Sequence, residues 1–393
     1  MLDFLYYRFT SLSLILAVFV GGMLVFQLLY YFIVYGKILF YFKQKSKQNL
    51  NATSTEQTQQ GVSVIIVVSN NGEALRDSLI QVLEQDYPLF EVVVVNENSS
   101  DDTEFILYVL QANYPNLTVI NLGKNDNKFE RYKFSLSIGI RSAKYENVLL
   151  MNVSCLPKTY NWLTYMMSPV NENSNKKIIT GISLREQSKG LPNILEKYDE
   201  TTTYMNLISY TLYGNAYTSN GMNMIYNKQW LLNKQGFISQ YAISCNQEDF
   251  FVHKNANKKN TAIVCNKDSF LYLPAYNSFV TFFRVKFATS LSHKMLAFKD
   301  KLLLSLNPIT SFLYYIGIVL LLFFGFPWQY ITISVVIKWI VQIIFYKKCM
   351  AKLDMRKNWL FAPLCEIFFF FFNFIIRLKV LFYHKREKKI KWD

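Results

Sequence analysis

Val62–Thr103 reads VSVIIVVSNNGEALRDSLIQVLEQDYPLFEVVVVNENSSDDT, and the spacing of its apolar residues decides the fold. Val62–Val68 is a β-branched run, Ala74–Glu84 repeats apolar residues at helical spacing, and Phe90–Val95 is a second apolar run without alternation. Strands that are apolar on both faces lie inside a parallel sheet. The stretch is therefore strand, helix and parallel strand. Ligands of open parallel sheets bind beyond the carboxyl ends of the strands, which directs attention to Ser69-Asn70-Asn71 and to Asn96-Glu97-Asn98-Ser99-Ser100. The pattern continues with a helix over Glu104–Asn113, a strand over Leu117–Asn121, a helix over Phe129–Lys144, and the strand Val148–Met151, which ends in Asn152-Val153-Ser154-Cys155.

Outside this region the 393-residue chain is 51% hydrophobic and 17% aromatic, too apolar for a wholly soluble protein. Leu12–Tyr35 carries no charge and is long enough to cross ~30 Å of hydrocarbon. It exceeds a signal-peptide core and is read as an uncleaved anchor. Lys37, Lys43, Lys45 and Lys47 follow it and only Arg8 precedes it, so the charge rule places the next domain in the cytoplasm. Asn49–Gly61, rich in Asn, Thr and Gln, reads as a linker.

Toward the other end, Ile309–Phe326, Tyr330–Tyr346 and Trp359–Ile376 are apolar, and the tail from His384 to Lys389 is basic. Lys338 and Gln342 interrupt the second of these segments and Glu366 the third. A full crossing by the last segment would carry the basic tail outward, so either that segment lies in the interface or re-enters, which is the favoured reading, or the second is too compromised by Lys338 and Gln342 to span. The resulting division is an N-terminal transmembrane anchor (1–48), a linker (49–61), a cytoplasmic α/β domain (62–290) and a C-terminal membrane region (291–393) of two to three apolar helices and a basic tail.

The net charge of +15 arises largely beside membrane segments and in the tail, where basic side chains attract anionic headgroups. No basic patch interleaved with exposed aromatics appears within the domain, so no nucleic-acid partner is expected. Cys155, Cys245, Cys265, Cys349 and Cys365 are odd in number and lack C-x-x-C spacing, which fits reduced thiols rather than disulfides or a zinc site.

Ser63-Val64-Ile65-Ile66, Asn70, Gln85-Asp86-Tyr87-Pro88 and Glu91 through Thr103 resemble, in order, the amino-terminal half of the family 2 glycosyltransferases. That family has an S-V-I-I strand, a loop with Asn and acidic residues, Q-x-Y-P, and E-V-I-V-V-D-D-x-S-x-D-x-T. The strands alone would also suit an unrelated doubly wound domain such as a flavodoxin-like one, but the ordered motifs favour the family. The resemblance implies a GT-A fold, that is, a Rossmann-like nucleotide-diphospho-sugar transferase domain with a mostly parallel sheet, flanked here by transmembrane helices.

The resemblance also assigns roles. Ser69, Asn70, Asn96, Glu97, Lys133, Asn152 and Ser154 fall at nucleotide-binding positions, with the Asn96 carbonyl standing as an acceptor for a base N–H. Lys133 is read either as facing a phosphate or as a snorkelling surface lysine. Asn152 and Ser154 replace the two aspartates of the Asp-x-Asp signature, while Cys155, Pro157 and Trp162 keep its frame. Mg²⁺ or Mn²⁺ is the family's cofactor, and a neutral amide and a hydroxyl anchor a hard cation poorly. Glu97, Asp101 and Asp102 reach such a cation only if their loop folds inward. The favoured reading leaves them as loop charges, with Asp101 or Asp102 capping the helix that follows.

Ser219 through Tyr226, including Gly221 and Asn223, resembles the family's G-x-G-x-N-x-A-Y strand on the acceptor side, and Gly236-Phe237 its G-G-F turn. In Gln247-Glu248-Asp249 the acidic catalytic motif is intact, with Asp249 as the base that deprotonates the acceptor hydroxyl. The Q-x-x-R-W element is degenerate: Val285 and Ala288 replace its Gln and Arg, and Arg284 and Lys286 are the cations nearby.

Two functions follow from the resemblance. One is an inverting transferase in the inner (cytoplasmic) membrane, multi-pass, that moves a sugar from a nucleotide sugar to a lipid-linked or polysaccharide acceptor of the cell envelope. The other is a catalytically inactive relative that binds within an envelope-glycan assembly.

Overall fold

The computed structural model describes residues 2–51, 59–123, 131–218, 221–236, 247–276, 278–293, 296–355 and 358–390, with side chains described outside 2–10, 45–51, 131, 247–250, 292–293 and 383–390. The chain forms two compact units, one from residues 1–47, 189–209 and 296–393 and the other from 48–188 and 210–295.

Among the described residues, the second unit carries ten strands: β1 (Val62–Val68), β2 (Phe90–Asn96), β3 (Leu117–Asn121), β4 (Asn147–Asn152), β5 (Leu156–Pro157), β6 (Ile178–Thr180), β7 (Ser183–Arg185), β8 (Met224–Asn227), β9 (Thr261–Ile263) and β10 (Leu271–Leu273). Seven of them make one sheet in the order β3-β2-β1-β4-β8-β6-β9, and the other three make a small sheet, β5-β10-β7. The first four strands of the large sheet are mutually parallel, and β8 alone runs antiparallel to its neighbours β4 and β6. A sequence of strands separated by helices folds this way because right-handed crossovers lay the helices over both faces.

Alternate residues of one strand therefore enter different cores. Val64 and Ile66 pack with Leu75, Leu79, Ile106, Leu107, Trp162 and Met166 on one face. Ile65 packs with Leu136, Ile140, Phe251 and Val252 on the other. Gly139, in the helix Arg131–Ser142, permits this second contact, since a Cβ there would lie 2.7 Å from Ile65 Cγ2. Register fixes the position of the strand ends: Val68 pairs with Asn96 and Val67 with Asn152, so three neighbouring strands finish level.

In the first unit, helix Leu2–Tyr30 passes through a π-helical turn, Tyr31–Tyr35, into helix Gly36–Asn51. The last of these runs into the stretch read as a linker, of which residues 52–58 lie outside the described residues. Among the described residues, four helical segments, Ser11–Gln44, Phe298–Phe323, Trp328–Lys352 and Asn358–Phe382, are long and apolar enough to cross a membrane. The last of them was expected to lie in the interface or re-enter. It is a continuous helix over Ala362–Ile390, whose length and composition suit a crossing.

The groups that argued against full crossings answer one another. Lys338 Nζ lies 2.6 Å from Glu366 Oε2, and Gln342 donates to the carbonyl of Ala362. Tyr315 and Ser311 donate to the same Glu366 carboxylate, and Gln27 Nε2 lies 2.6 Å from Ser311 Oγ. These four helices thus meet at one polar node, where Lys338 and Glu366 answer each other while Gln27 Oε1 and Gln342 Oε1 stay buried without a hydrogen-bond partner.

The division into units also differs from the 62–290 boundary drawn from the sequence. Residues 189–209, most of helix Leu191–Leu212, group with the membrane-type helices. The Tyr198 ring stacks on Tyr346 at 5.1 Å, Thr202 bonds the Tyr346 hydroxyl, and Tyr35 donates to Asn206.

Candidate functional site

The level ends of β1, β2 and β4 release three loops side by side, and their polar side chains stitch the loops together. Asn70 adopts a left-handed backbone (φ 50°), and its Oδ1 accepts from Ser100 N at 2.7 Å while its own N–H donates to Ser99 Oγ at 3.0 Å. Asn96 is buried. Its Oδ1 accepts from Ser99 N and Oγ, and its amide NH₂ donates to Asn121. The carbonyl expected to receive a base N–H is therefore already engaged within the loop, and its geometry supports an organising role. Glu97, next in sequence, is also buried.

Asp101 ties both loops to their helices. It accepts from Gly72 N at the start of helix Gly72–Leu83 and from Thr103 N and Oγ1 at the start of helix Thr103–Asn113. The Thr103 hydroxyl, with the backbone donors behind it, holds the Asp101 carboxyl below its ordinary pKa. Stabilisation by a carboxylate of lowered pKa is fully present above its unfolded value and is lost as the pH falls through the lowered one, so this contribution should fade below about pH 4. Asp101→Ala is expected to cost roughly 1 kcal/mol near neutrality and less under strongly acid conditions, where the neutral carboxyl is the weaker acceptor, as urea titrations at two pH values would measure. An equal loss at both would refute the capping role.

At the end of β4, Asn152 Oδ1 turns back to accept from Ser154 N at 2.9 Å, and Ser154 Oγ accepts from Asn71 Nδ2 at 3.4 Å. Among the described residues no group of three or more His, Cys, Asp or Glu side chains gathers to hold a metal. A neutral amide closed on its own turn and a hydroxyl do not fit a hard divalent cation. Cys155 is fully buried, and desolvation pushes its thiol up to about 12, so it stays protonated. Cys265 is raised in the same way, and Cys245 lies outside the described residues.

Lys133 is buried in the first turn of helix Arg131–Ser142, which removes the snorkelling-lysine alternative. Gly221 has a left-handed backbone. Asn223 is fully buried: its Oδ1 accepts from Trp162 Nε1 at 3.0 Å and its NH₂ donates to the carbonyls of Ile182 and Ser269, each at 2.9 Å. Its amide is spent on the scaffold that joins the helix after β5, β8 and the small sheet. Ser219, Asn220 and Phe237 lie outside the described residues. Glu248 and Asp249 fall in the first turn of helix Gln247–Asn255, with their side chains outside the described residues. The neighbouring helix Phe279–His293 carries exposed Arg284 and half-buried Lys286.

Parallel strands with level ends, helices on both faces and an antiparallel excursion through β8 define a GT-A domain. Residues 63–237 match the model of Glycosyl transferase family 2, and this part of the chain is a family 2 glycosyltransferase domain. The mannosyltransferase PcManGT from Pyrobaculum calidifontis, in complex with GDP-Man and Mn2+, is similar in fold, with a TM-score of 0.51 at 14% identity over 88% of this chain and 99% of that one. S. aureus TarS 1-349 in complex with UDP matches with a TM-score of 0.41 at 21% identity over 58% of this chain and 64% of that one. This chain thus spans under two thirds of that structure. No curated protein matches the sequence.

Proposed function

We propose that the chain is a membrane-anchored glycosyltransferase that moves a sugar, with inversion, from a nucleoside diphosphate to a lipid-linked or polysaccharide acceptor of the cell envelope. What carries the reading is the continuity of a family 2 domain with four helices long enough to cross a membrane. Lysines 37 and 43, at the far end of the first span, favour a cytoplasmic face for the domain, where nucleotide sugars are made. Asp249 takes the acceptor proton as the hydroxyl attacks the anomeric carbon from the face opposite the departing diphosphate. No step is assigned to a divalent metal, since Asn152 and Ser154 do not fit one.

The neutral strand end favours a second reading, a relative that binds nucleotide or glycan within an envelope assembly without turnover. Detergent-purified chain is incubated with UDP- and GDP-sugars, with and without Mn²⁺, beside an Asp249→Asn control. The transferase reading expects sugar release or transfer that falls by at least about a hundredfold in the variant. Turnover equal to the control would leave the binding reading standing and overturn the first.

A further inference from the structure

We propose that Arg185 supplies the positive charge that receives the diphosphate of the donor nucleotide, at the place where the family's Asp-x-Asp pair would hold a metal. The inference rests on the nucleotide-binding part of the preceding reading and adds a residue to it. The small sheet brings Arg185 to this position. β10 pairs in register with β7, Leu273 opposite Arg185, and antiparallel with β5, Tyr272 opposite Leu156. Counting one step further sets Leu273 opposite Cys155, so Arg185 stands two strands, roughly 10 Å between backbones, from Cys155, the residue that follows Ser154. An extended Arg side chain spans most of that distance. The guanidinium's field is felt at the Cys155 thiol, where it opposes the upward push of burial.

The guanidinium is held in place. Its Nη1 donates to the carbonyl of Pro274 at 2.9 Å and its plane lies 3.7 Å from the centre of the Tyr276 ring, which limits the rotamers a long side chain would otherwise sample. A fixed planar fork suits two phosphate oxygens, and a guanidinium, unlike a metal, needs no carboxylate to anchor it. The replacement of both aspartates by Asn152 and Ser154 is consistent with this, because two carboxylates would compete with the phosphates for the same cation. The pleat gives an internal control: Lys158 lies over the Tyr272 ring at 3.6 Å, and Tyr272 points to the opposite face from Leu273 and Arg185.

The test is calorimetry on the full chain in detergent with EDTA, using UDP, GDP, uridine and guanosine. One diphosphate is expected to bind about tenfold or more tightly than its own nucleoside, the value of a charge-assisted contact. Arg185→Gln should abolish that advantage while nucleoside binding stays unchanged, Arg185→Lys should keep part of it, and Lys158→Gln should keep all of it. A diphosphate advantage that appears only with Mn²⁺, or that survives Arg185→Gln, overturns the proposal and leaves the nucleotide site intact. Binding of neither nucleosides nor diphosphates would instead overturn the nucleotide reading itself.

Discussion

Asn223→Leu is expected to destabilise the family 2 domain by on the order of 4 kcal/mol, among the largest effects of any single substitution there. The side chain would leave Trp162 Nε1 and the Ser269 carbonyl without the partner they now have, while the Ile182 carbonyl would keep only Leu271 N. Each buried group stranded in this way costs about 1–3 kcal/mol. Backbone strain adds to the loss, because Asn223 has φ 57°, a left-handed conformation that Asn tolerates and Leu does not. Nor can a larger side chain move aside, since the backbone of Gly181 already lies against the Asn223 amide. Asn223→Gly separates the two causes: it relieves the strain and keeps the orphaned partners, so it should recover only about 1 kcal/mol of the loss. Thermal unfolding followed by tryptophan fluorescence would read both variants, and an Asn223→Leu midpoint within a degree or two of the parent would refute the account.

Asn223 also illustrates which parts of the molecule are legible in sequence. Its place in a G-x-G-x-N-x-A-Y-like strand can be read from the order of residues, but the destination of its amide cannot. Trp162, Ile182 and Ser269 lie on separate elements that only the assembled sheet brings together. Val62–Thr103, by contrast, announces two strands and a helix, because runs apolar on both faces and helical spacing are local signals. The helix over Phe129–Lys144 appears as Arg131–Ser142, with residues 124–130 outside the described residues. The replacement of acidic residues at 152 and 154 is visible in the letters, while the closing of Asn152 onto Ser154 N is visible only in space.

The same holds for Arg185, which lies in no motif and acquires its position from the register of β7 on β10. Residues 189–209 were hidden for a different reason. Thr202 and Asn206, which bond buried hydroxyls, read as part of an ordinary amphipathic helix until their partners, Tyr346 and Tyr35, are known. Charges within apolar segments are the least legible, since Lys338 and Glu366 each weaken a span taken singly and support each other taken together.

That mutual support predicts a strongly non-additive pair. Lys338 is 2% exposed and Glu366 12%, and no water is available to either if the helices cross a membrane. Glu366→Leu strands the ammonium with only Tyr315 OH at 2.9 Å and the ring faces of Tyr314 and Tyr315, while Lys338→Met strands the carboxylate with Ser311 and Tyr315. An ionised side chain left alone at such depth costs about 3 kcal/mol on insertion scales, and breaking one half of a buried pair in folded proteins costs a similar 3–5 kcal/mol. Each single variant should therefore lose about 3 kcal/mol or more. The double variant Lys338→Met/Glu366→Leu removes both charges and fills their volume with apolar atoms, and exchanges of this kind are commonly neutral or better. It should return to within about 1 kcal/mol of the parent, which makes the coupling nearly as large as the two losses combined. Reversible unfolding in mixed micelles would give the four free energies of the cycle. Losses that simply add would mean that the two charges do not hold the helices together.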